Sequence, residues 1–141
     1  MTTPVAARPS LRPRRLARSI AAVLGAILAN IVLSLATDQL LRVLGVFPPV
    51  SQPMSNALFA LATAYRLAYG VGSGYLAARL APDRPMAHVT VLGILGVIGS
   101  LGGVIVARSH PELGPMWYPV VLLVFAFPCA WLGGKLHRST L

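Results

Sequence analysis

Four long apolar stretches dominate the chain and predict four membrane-spanning helices. They cover residues 19–41, 56–78, 87–107 and 116–134, and each contains between 19 and 23 residues. An α-helix rises about 1.5 Å per residue, so roughly 20 residues cross a hydrocarbon core of about 30 Å. The stretches lack the alternation of apolar and polar positions that is typical of membrane barrels. The pattern therefore predicts an all-α fold, a four-helix transmembrane bundle in a single domain of residues 19–141.

The polar segments between these stretches are too short to form a second domain. They contain 14, 8 and 8 residues, and a basic segment of 18 residues precedes the first stretch. An independently stable domain needs about 40 residues. We therefore expect any function to reside in the helices or in their short connections.

Basic residues are divided unequally between the two sides of the predicted bundle. Nine lie on the side that carries both termini: Arg8, Arg12, Arg14, Arg15, Arg18, Arg79, Arg84, Lys135 and Arg138. Only Arg42 and Arg108 lie on the opposite side. The positive-inside rule then predicts that both termini, with residues 1–18, are cytoplasmic. Eleven arginines against one lysine are typical of a GC-rich bacterial genome, so we expect the bacterial cytoplasmic (inner) membrane.

The first stretch has an alternative interpretation as a cleaved signal peptide. It follows a basic leader, and the small residues Ser34 and Ala36 would suit a cut before Thr37. Cleavage there would leave three helices. Asn30 interrupts the apolar run, however, and apolar residues resume beyond the cut at Leu40 and Leu41. These features favour retention of the first helix.

Composition supports the membrane class and narrows the partners. Of all residues, 56% are apolar and 11% charged, and the mean hydropathy is +0.74. The net charge of +9 does not predict nucleic-acid binding, because the basic residues lie at the borders of apolar runs. The expected partners are the lipid bilayer and either another membrane protein or a second copy. The single cysteine, Cys129, gives no basis for an internal disulfide or a thiolate metal cluster, and we expect no metal or cofactor.

A polar stripe on the first helix supplies a partner for the charge inside the second. Small and polar residues recur there at every fourth position, which places them on one face: Ala22, Ala26, Asn30, Ser34, Asp38 and Arg42. Arg66 lies inside the second stretch, where an unpaired charge costs about 2.5–3.5 kcal/mol to insert. In an antiparallel hairpin Asp38 and Arg66 reach similar depths. Asp38 and Arg66 are therefore a candidate intramembrane polar pair.

Two interpretations of this pair remain open. In the first, the pair lines a route for protons, ions or a small polar solute, together with Asn30, Ser34, Tyr65, Tyr69 and Ser73. In the second, which is favoured, Asp38 pairs with Arg42 at i+4, Arg66 bonds to backbone carbonyls, and the polar groups only hold the helices together.

Small residues in the second and third stretches predict close helix packing. Those at helical spacing are Gly70, Gly74, Gly93, Gly96, Ser100 and Gly103. In lipid, where burial of apolar surface does not drive association, such residues let two backbones approach closely. Packing within the bundle is the favoured interpretation, ahead of a dimer face or a substrate path.

Catalysis is not predicted. His88 and His110 lie at opposite ends of the third helix, roughly 30 Å apart, so they cannot bind one metal ion. No spacing in the sequence places a nucleophile beside a base or pairs two carboxylates within the membrane.

Several short motifs resemble those of small bacterial membrane proteins that have four predicted helices and no assigned activity. They are Tyr65-Arg66, the run from Gly74 to Pro82, Arg84-Pro85-Met86, His88, Trp117-Tyr118-Pro119 and the run from Pro128 to Gly134. The resemblance covers the last three helices and implies only a fold and a membrane location. Size and helix count are also similar to small multidrug transporters, whose first-helix glutamate this chain lacks. We therefore favour a structural or accessory role in a membrane complex, with a small transporter or channel as the alternative.

Overall fold

The computed structural model describes residues 13–141, and over this range the chain is built of α-helices and short connections. The helices are α1 (Pro13–Val43), α2 (Asn56–Leu80), α3 (Pro85–Ser109) and α4 (Trp117–Ser139), with a 3₁₀ turn at Pro111–Leu113. Each helix contains one predicted apolar stretch, except that Met116 precedes α4. Helix α1 begins six residues before its apolar stretch, within the predicted basic segment. The rest of that segment, with Arg8 and Arg12, lies outside the described residues.

Three of the four helices are long and apolar enough to cross a membrane: α1, α3 and α4. Their surfaces carry large exposed apolar side chains, such as Leu28, Leu35 and Ile98, each at least 60% exposed. Water-soluble proteins rarely expose contiguous apolar surface on this scale. The chain therefore has the properties of a membrane protein.

Helix α2 has the length of a span but is not among the three apolar helices. Its position in the bundle accounts for this, because α2 packs against α1, α3 and α4. It also holds more buried residues than any other helix: Phe59, Ala62, Thr63, Ser73, Gly74, Ala77 and Ala78. A helix that is surrounded by protein on several sides does not need an apolar surface all round. A fourth span therefore remains a prediction.

Reporter fusions test whether α2 crosses the membrane. We expect reporters placed after Val50 and after Asp83, on either side of α2, to lie on opposite sides of the membrane. Fusions after Arg18 and Leu141 should match Asp83, and a fusion after Leu113 should match Val50. Paired phosphatase and fluorescent-protein activities in cells provide the measurement. If the reporters after Val50 and after Asp83 lie on the same side of the membrane, the four-span topology is contradicted.

The helices follow the order α1, α2, α4, α3 around the bundle. In the described part of the chain α1 packs against α2 and α3 but does not reach α4. Helices α2 and α4 run parallel. At one end the indole of Trp117 donates to Asn56 Oδ1 at 3.2 Å, and at the other the rings of Tyr75 and His137 pack at 5.3 Å.

Small residues hold the bundle closed at one end, which we call the basic end because it carries Arg79, Arg84 and Lys135. A Cβ added to Gly74 would overlap the backbone of Ala130, so α2 and α4 touch there through their main chains. Around this contact lies the buried core, which consists of Val23, Ala26, Ala77, Ala78, Val89, Leu92 and Ala130. Close backbone approach and dispersion contacts stabilise helix pairs in lipid.

The predicted packing residues divide into two groups. Four of them face residues of α4. The contacts are Gly70 with Cys129, Gly74 with Ala130, Gly93 with Phe127, and Gly96 with Ala126. In contrast, a Cβ on Gly103 would meet nothing within 4 Å, and Gly103 and Ser100 line a cavity at the other end of the bundle. That opposite end, which carries the connections 44–55 and 110–116, is called the loop end below.

Candidate functional site

An ion pair between α1 and α2 lies at the centre of the candidate site. The Nη2 atom of Arg66 is 2.5 Å from Oδ2 of Asp38. Side chains on a helix lean toward its N-terminus, so Arg66 leans toward the loop end and Asp38 toward the basic end. The two antiparallel helices therefore bring the charged groups to the same level. The alternative partner of Asp38 in the sequence, Arg42, makes no ion pair with it among the described residues.

Two tyrosines extend this pair to a third helix. The hydroxyl of Tyr65 donates to Oδ1 of Asp38, and Nη1 of Arg66 donates to the hydroxyl of Tyr118 on α4. The Tyr118 ring also lies 5.7 Å from Arg66 Cζ and packs against Phe59 at 5.2 Å. The four polar side chains thus form one network that joins α1, α2 and α4.

The network leaves little of either charge exposed. The side chain of Asp38 is 14% exposed and that of Arg66 is 28% exposed. Opposite charges at hydrogen-bond distance neutralise each other, and in a poorly polar environment this attraction is far stronger than in water. One donor, Arg66 Nε, is buried and has no hydrogen-bond partner. The arrangement is therefore a helix-joining contact in which most, but not all, of the polar atoms are bonded.

Three cavities meet at Arg66. The loop-end cavity, about 550 Å³, lies beneath the connections and is bounded by Asp38, Arg42 and Glu112. The side cavity, about 430 Å³, lies against Gly99 and Gly103 of α3. The middle cavity, about 310 Å³, reaches Asn30, Ser34, Gly70 and Cys129. Arg66 therefore borders space at the loop end, space beside α3 and space in the middle of the bundle.

The remaining predicted lining residues occupy different places. Asn30 and Ser34 border the middle cavity and approach each other at 3.5 Å. The hydroxyl of Tyr69 is 2.7 Å from Thr37 Oγ1, so this tyrosine joins α2 to α1 one turn away from the ion pair. Ser73 is buried and lies among the packed residues nearer the basic end. The structure thus brings Asp38, Arg66 and Tyr65 together and places the other residues around them.

Sequence reasoning missed Tyr118 as a member of the network and missed the contact of Thr37 with Tyr69. Tyr118 had the pattern of an interfacial anchor, since it begins an apolar helix beside Trp117. Its contact with Arg66 depends on the parallel packing of α2 and α4, which the order of the helices along the chain does not reveal. Thr37 had a detectable signal, because it neighbours Asp38 at the same end of α1.

Histidine and acidic residues elsewhere make isolated contacts, such as that of Asp83 with Arg15 at 3.3 Å. His110 Nδ1 is 2.9 Å from Glu112 in the exposed connection before α4. Within residues 13–141 no three His, Cys, Asp or Glu side chains lie close enough together to hold a metal ion.

Removal of the Tyr118 hydroxyl tests the third-helix contact. We expect Tyr118→Phe to lower the free energy of unfolding by about 1.5 kcal/mol, because it removes a hydrogen bond to a charged group. Thermal unfolding in detergent, followed by circular dichroism, gives the measurement. Tyr75→Phe is the matched control, since Tyr75 contacts His137 through its ring. Equal effects of the two substitutions would contradict the assignment.

Comparisons with protein-family models, with curated proteins and with solved structures find no match to this chain. Arguments about function therefore rest on the geometry of the described residues.

Proposed function

We propose that this chain is an integral protein of the bacterial cytoplasmic membrane with a structural or accessory role in a membrane complex, and that it is not an enzyme. The observation that carries the proposal is the network of Asp38, Arg66, Tyr65 and Tyr118. Polar side chains that bond to one another across membrane helices hold those helices together. Here both charges are bonded to each other and to tyrosines from the same bundle.

The packing of the basic end supports the same role. A Cβ on Gly133 would overlap the backbone of Val71, and a Cβ on Gly134 would lie 2.8 Å from Val89. These contacts close the bundle below the Arg66 cavities. A permeation path would need an opening at both ends, whereas an accessory protein needs only a stable helical surface.

Capture of partners in membranes tests the accessory role. We expect photocrosslinking probes at Leu35 of α1 and Ile98 of α3, two exposed apolar positions, to link the chain to a distinct membrane protein. That protein should also copurify at a constant ratio without crosslinking. A probe in place of Phe59, a buried aromatic ring that packs against Tyr118, serves as the control, because it should link only within the chain. Recovery of nothing but the chain itself from both exposed positions would count against an accessory role.

The Arg66 cavities favour a second candidate, a small transporter for a polar solute or ion. They bring space that is bordered by Asp38, Arg66, Asn30 and Ser34 to the middle of the bundle. In this role the packed basic end opens while the loop end closes. Flux of protons, ions or small polar solutes into proteoliposomes should then depend on Asp38 and Arg66. The Asp38→Asn/Arg66→Gln variant is compared with Asp83→Asn, and equal flux in both would exclude the transporter role.

A further inference from the structure

A groove between α1 and α3 opens at the basic end of the bundle. Its volume is about 350 Å³, and its walls are formed by Ser19, Ile20, Val23, Leu24, Ala87, His88, Val91 and Leu95. Apart from Ser19 and His88, which lie in the part of the groove toward the basic end, these residues are apolar. Ile20 and Leu24 of α1 and Val91 and Leu95 of α3 are each 42–57% exposed. The feature is therefore an apolar groove on the bundle surface, and polar residues lie toward its basic end.

Two arginines lie one helical turn before lining residues of this groove and place positive charge near its mouth. Arg84 immediately precedes α3, one helical turn before His88, and the His88 ring lies 3.3 Å from its carbonyl oxygen. Arg15 lies one turn before Ser19 on α1, with Nη1 3.3 Å from Asp83. Asp83 offsets one of the two guanidinium groups and leaves the other without an acidic partner among the described residues. A negative group with an apolar tail complements this arrangement.

The start of α3 adds to the attraction for a negative group. The first turn of this 25-residue helix contains no acidic residue, and no described side chain caps it. The amide groups at a helix N-terminus carry a partial positive charge that favours anions. This supplements the charge of Arg84 at the same place.

We propose that the α1 and α3 groove binds one anionic phospholipid, such as phosphatidylglycerol. One acyl chain lies along Ile20, Leu24, Val91 and Leu95, and the phosphate lies at the mouth beside Arg84 and Arg15. Basic pockets between membrane helices are a recurrent way of holding anionic headgroups. A zwitterionic lipid brings a cationic headgroup to the same positive mouth and is disfavoured. This inference requires the chain to be in a membrane but is independent of an accessory or transport role.

The binding test uses the full chain purified in a neutral detergent and freed of cellular lipid. Equal amounts of dioleoyl phosphatidylglycerol and dioleoyl phosphatidylcholine are added, and native mass spectrometry measures the lipid retained. We expect one phosphatidylglycerol per chain in preference to phosphatidylcholine. Arg84→Gln should weaken its binding about fivefold, the factor that corresponds to about 1 kcal/mol per basic side chain. Arg138→Gln, the matched control, removes one charge at the same end on α4 and should leave binding unchanged.

Two further measurements distinguish binding of the whole lipid from binding of a phosphate headgroup alone. Leu95→Trp places a large ring in the groove and should reduce retention of phosphatidylglycerol, whereas Leu101→Trp, the same change beyond the groove on α3, should not. Soluble glycerol phosphate at millimolar concentration should fail to displace the lipid. Equal retention of the two lipids, equal effects of Arg84→Gln and Arg138→Gln, or displacement by glycerol phosphate would each overturn the proposal.

Discussion

Replacement of Asp38 by asparagine is expected to lower the free energy of unfolding by about 3 kcal/mol, because it leaves a largely buried arginine without its counter-charge. Asparagine has nearly the same shape as aspartate, so the effect should arise from charge and not from a cavity. Arg66 would keep its contact with Tyr118 but lose its carboxylate. Reversible unfolding in mixed micelles of sodium dodecyl sulfate and a mild detergent, followed by circular dichroism, measures the change.

Removal of both charges should recover much of this loss. Buried ion pairs can be replaced by neutral groups at little net cost, so the Asp38→Asn/Arg66→Gln double variant should be more stable than Asp38→Asn alone. Asp83→Asn is the matched control, since the carboxylate of Asp83 is 62% exposed in its pair with Arg15. It should cost less than about 1 kcal/mol. A double variant as unstable as Asp38→Asn would show that the two side chains do not act as a pair.

A second large effect is expected where α2 and α4 touch through their backbones. Gly74→Ala should cost about 3 kcal/mol, because the added methyl group overlaps the carbonyl of Ala130 and only a shift of the helices can relieve the clash. Gly72→Ala on the same helix is the control. A Cβ there meets nothing within 4 Å, and alanine is the better helix former by about 1 kcal/mol. The two substitutions should therefore change stability in opposite directions.

The measurement is the same unfolding experiment, with the separation of α2 and α4 as a second readout. In a Cys129→Ser background, cysteines that replace Tyr75 and His137, whose rings pack with centroids 5.3 Å apart, should be joined by a short bifunctional thiol reagent, both with Gly74 intact and in Gly72→Ala. The crosslink should form slowly in Gly74→Ala. Gly74→Ala with the stability and crosslinking rate of Gly72→Ala would contradict the close backbone contact.

The helices could be predicted from the sequence because length and hydropathy are local properties. Residues 87–107, for example, lie entirely within α3, which extends the apolar run by two residues at each end. Helix α2 is the instructive exception. Its apolar run contains Arg66 and three tyrosines, and its hydropathy alone does not mark it as a span. Helix α2 packs against the other three helices, and a hydropathy average does not take these contacts into account.

The candidate site was predictable only in part. Charges within apolar runs are rare, so Asp38 and Arg66 stood out, and an antiparallel hairpin places them at similar levels. Tyr118 did not stand out, because its contact with Arg66 depends on which helices are neighbours. Short connections make consecutive helices adjacent, but they do not reveal that α2 also packs against α4. Gly74 and Gly133 lie far apart in the sequence, and together they allow the backbones of α2 and α4 to approach closely.

The position of α2 also has a consequence for biogenesis. Helix α1 is synthesised before α2 and carries the carboxylate that compensates Arg66, so this ion pair can form as soon as α2 is complete. The hydroxyl of Tyr118 and the backbone surface that receives Gly74 belong to α4, which emerges last. The second helix to be made therefore acquires its full set of neighbours only when the fourth is complete.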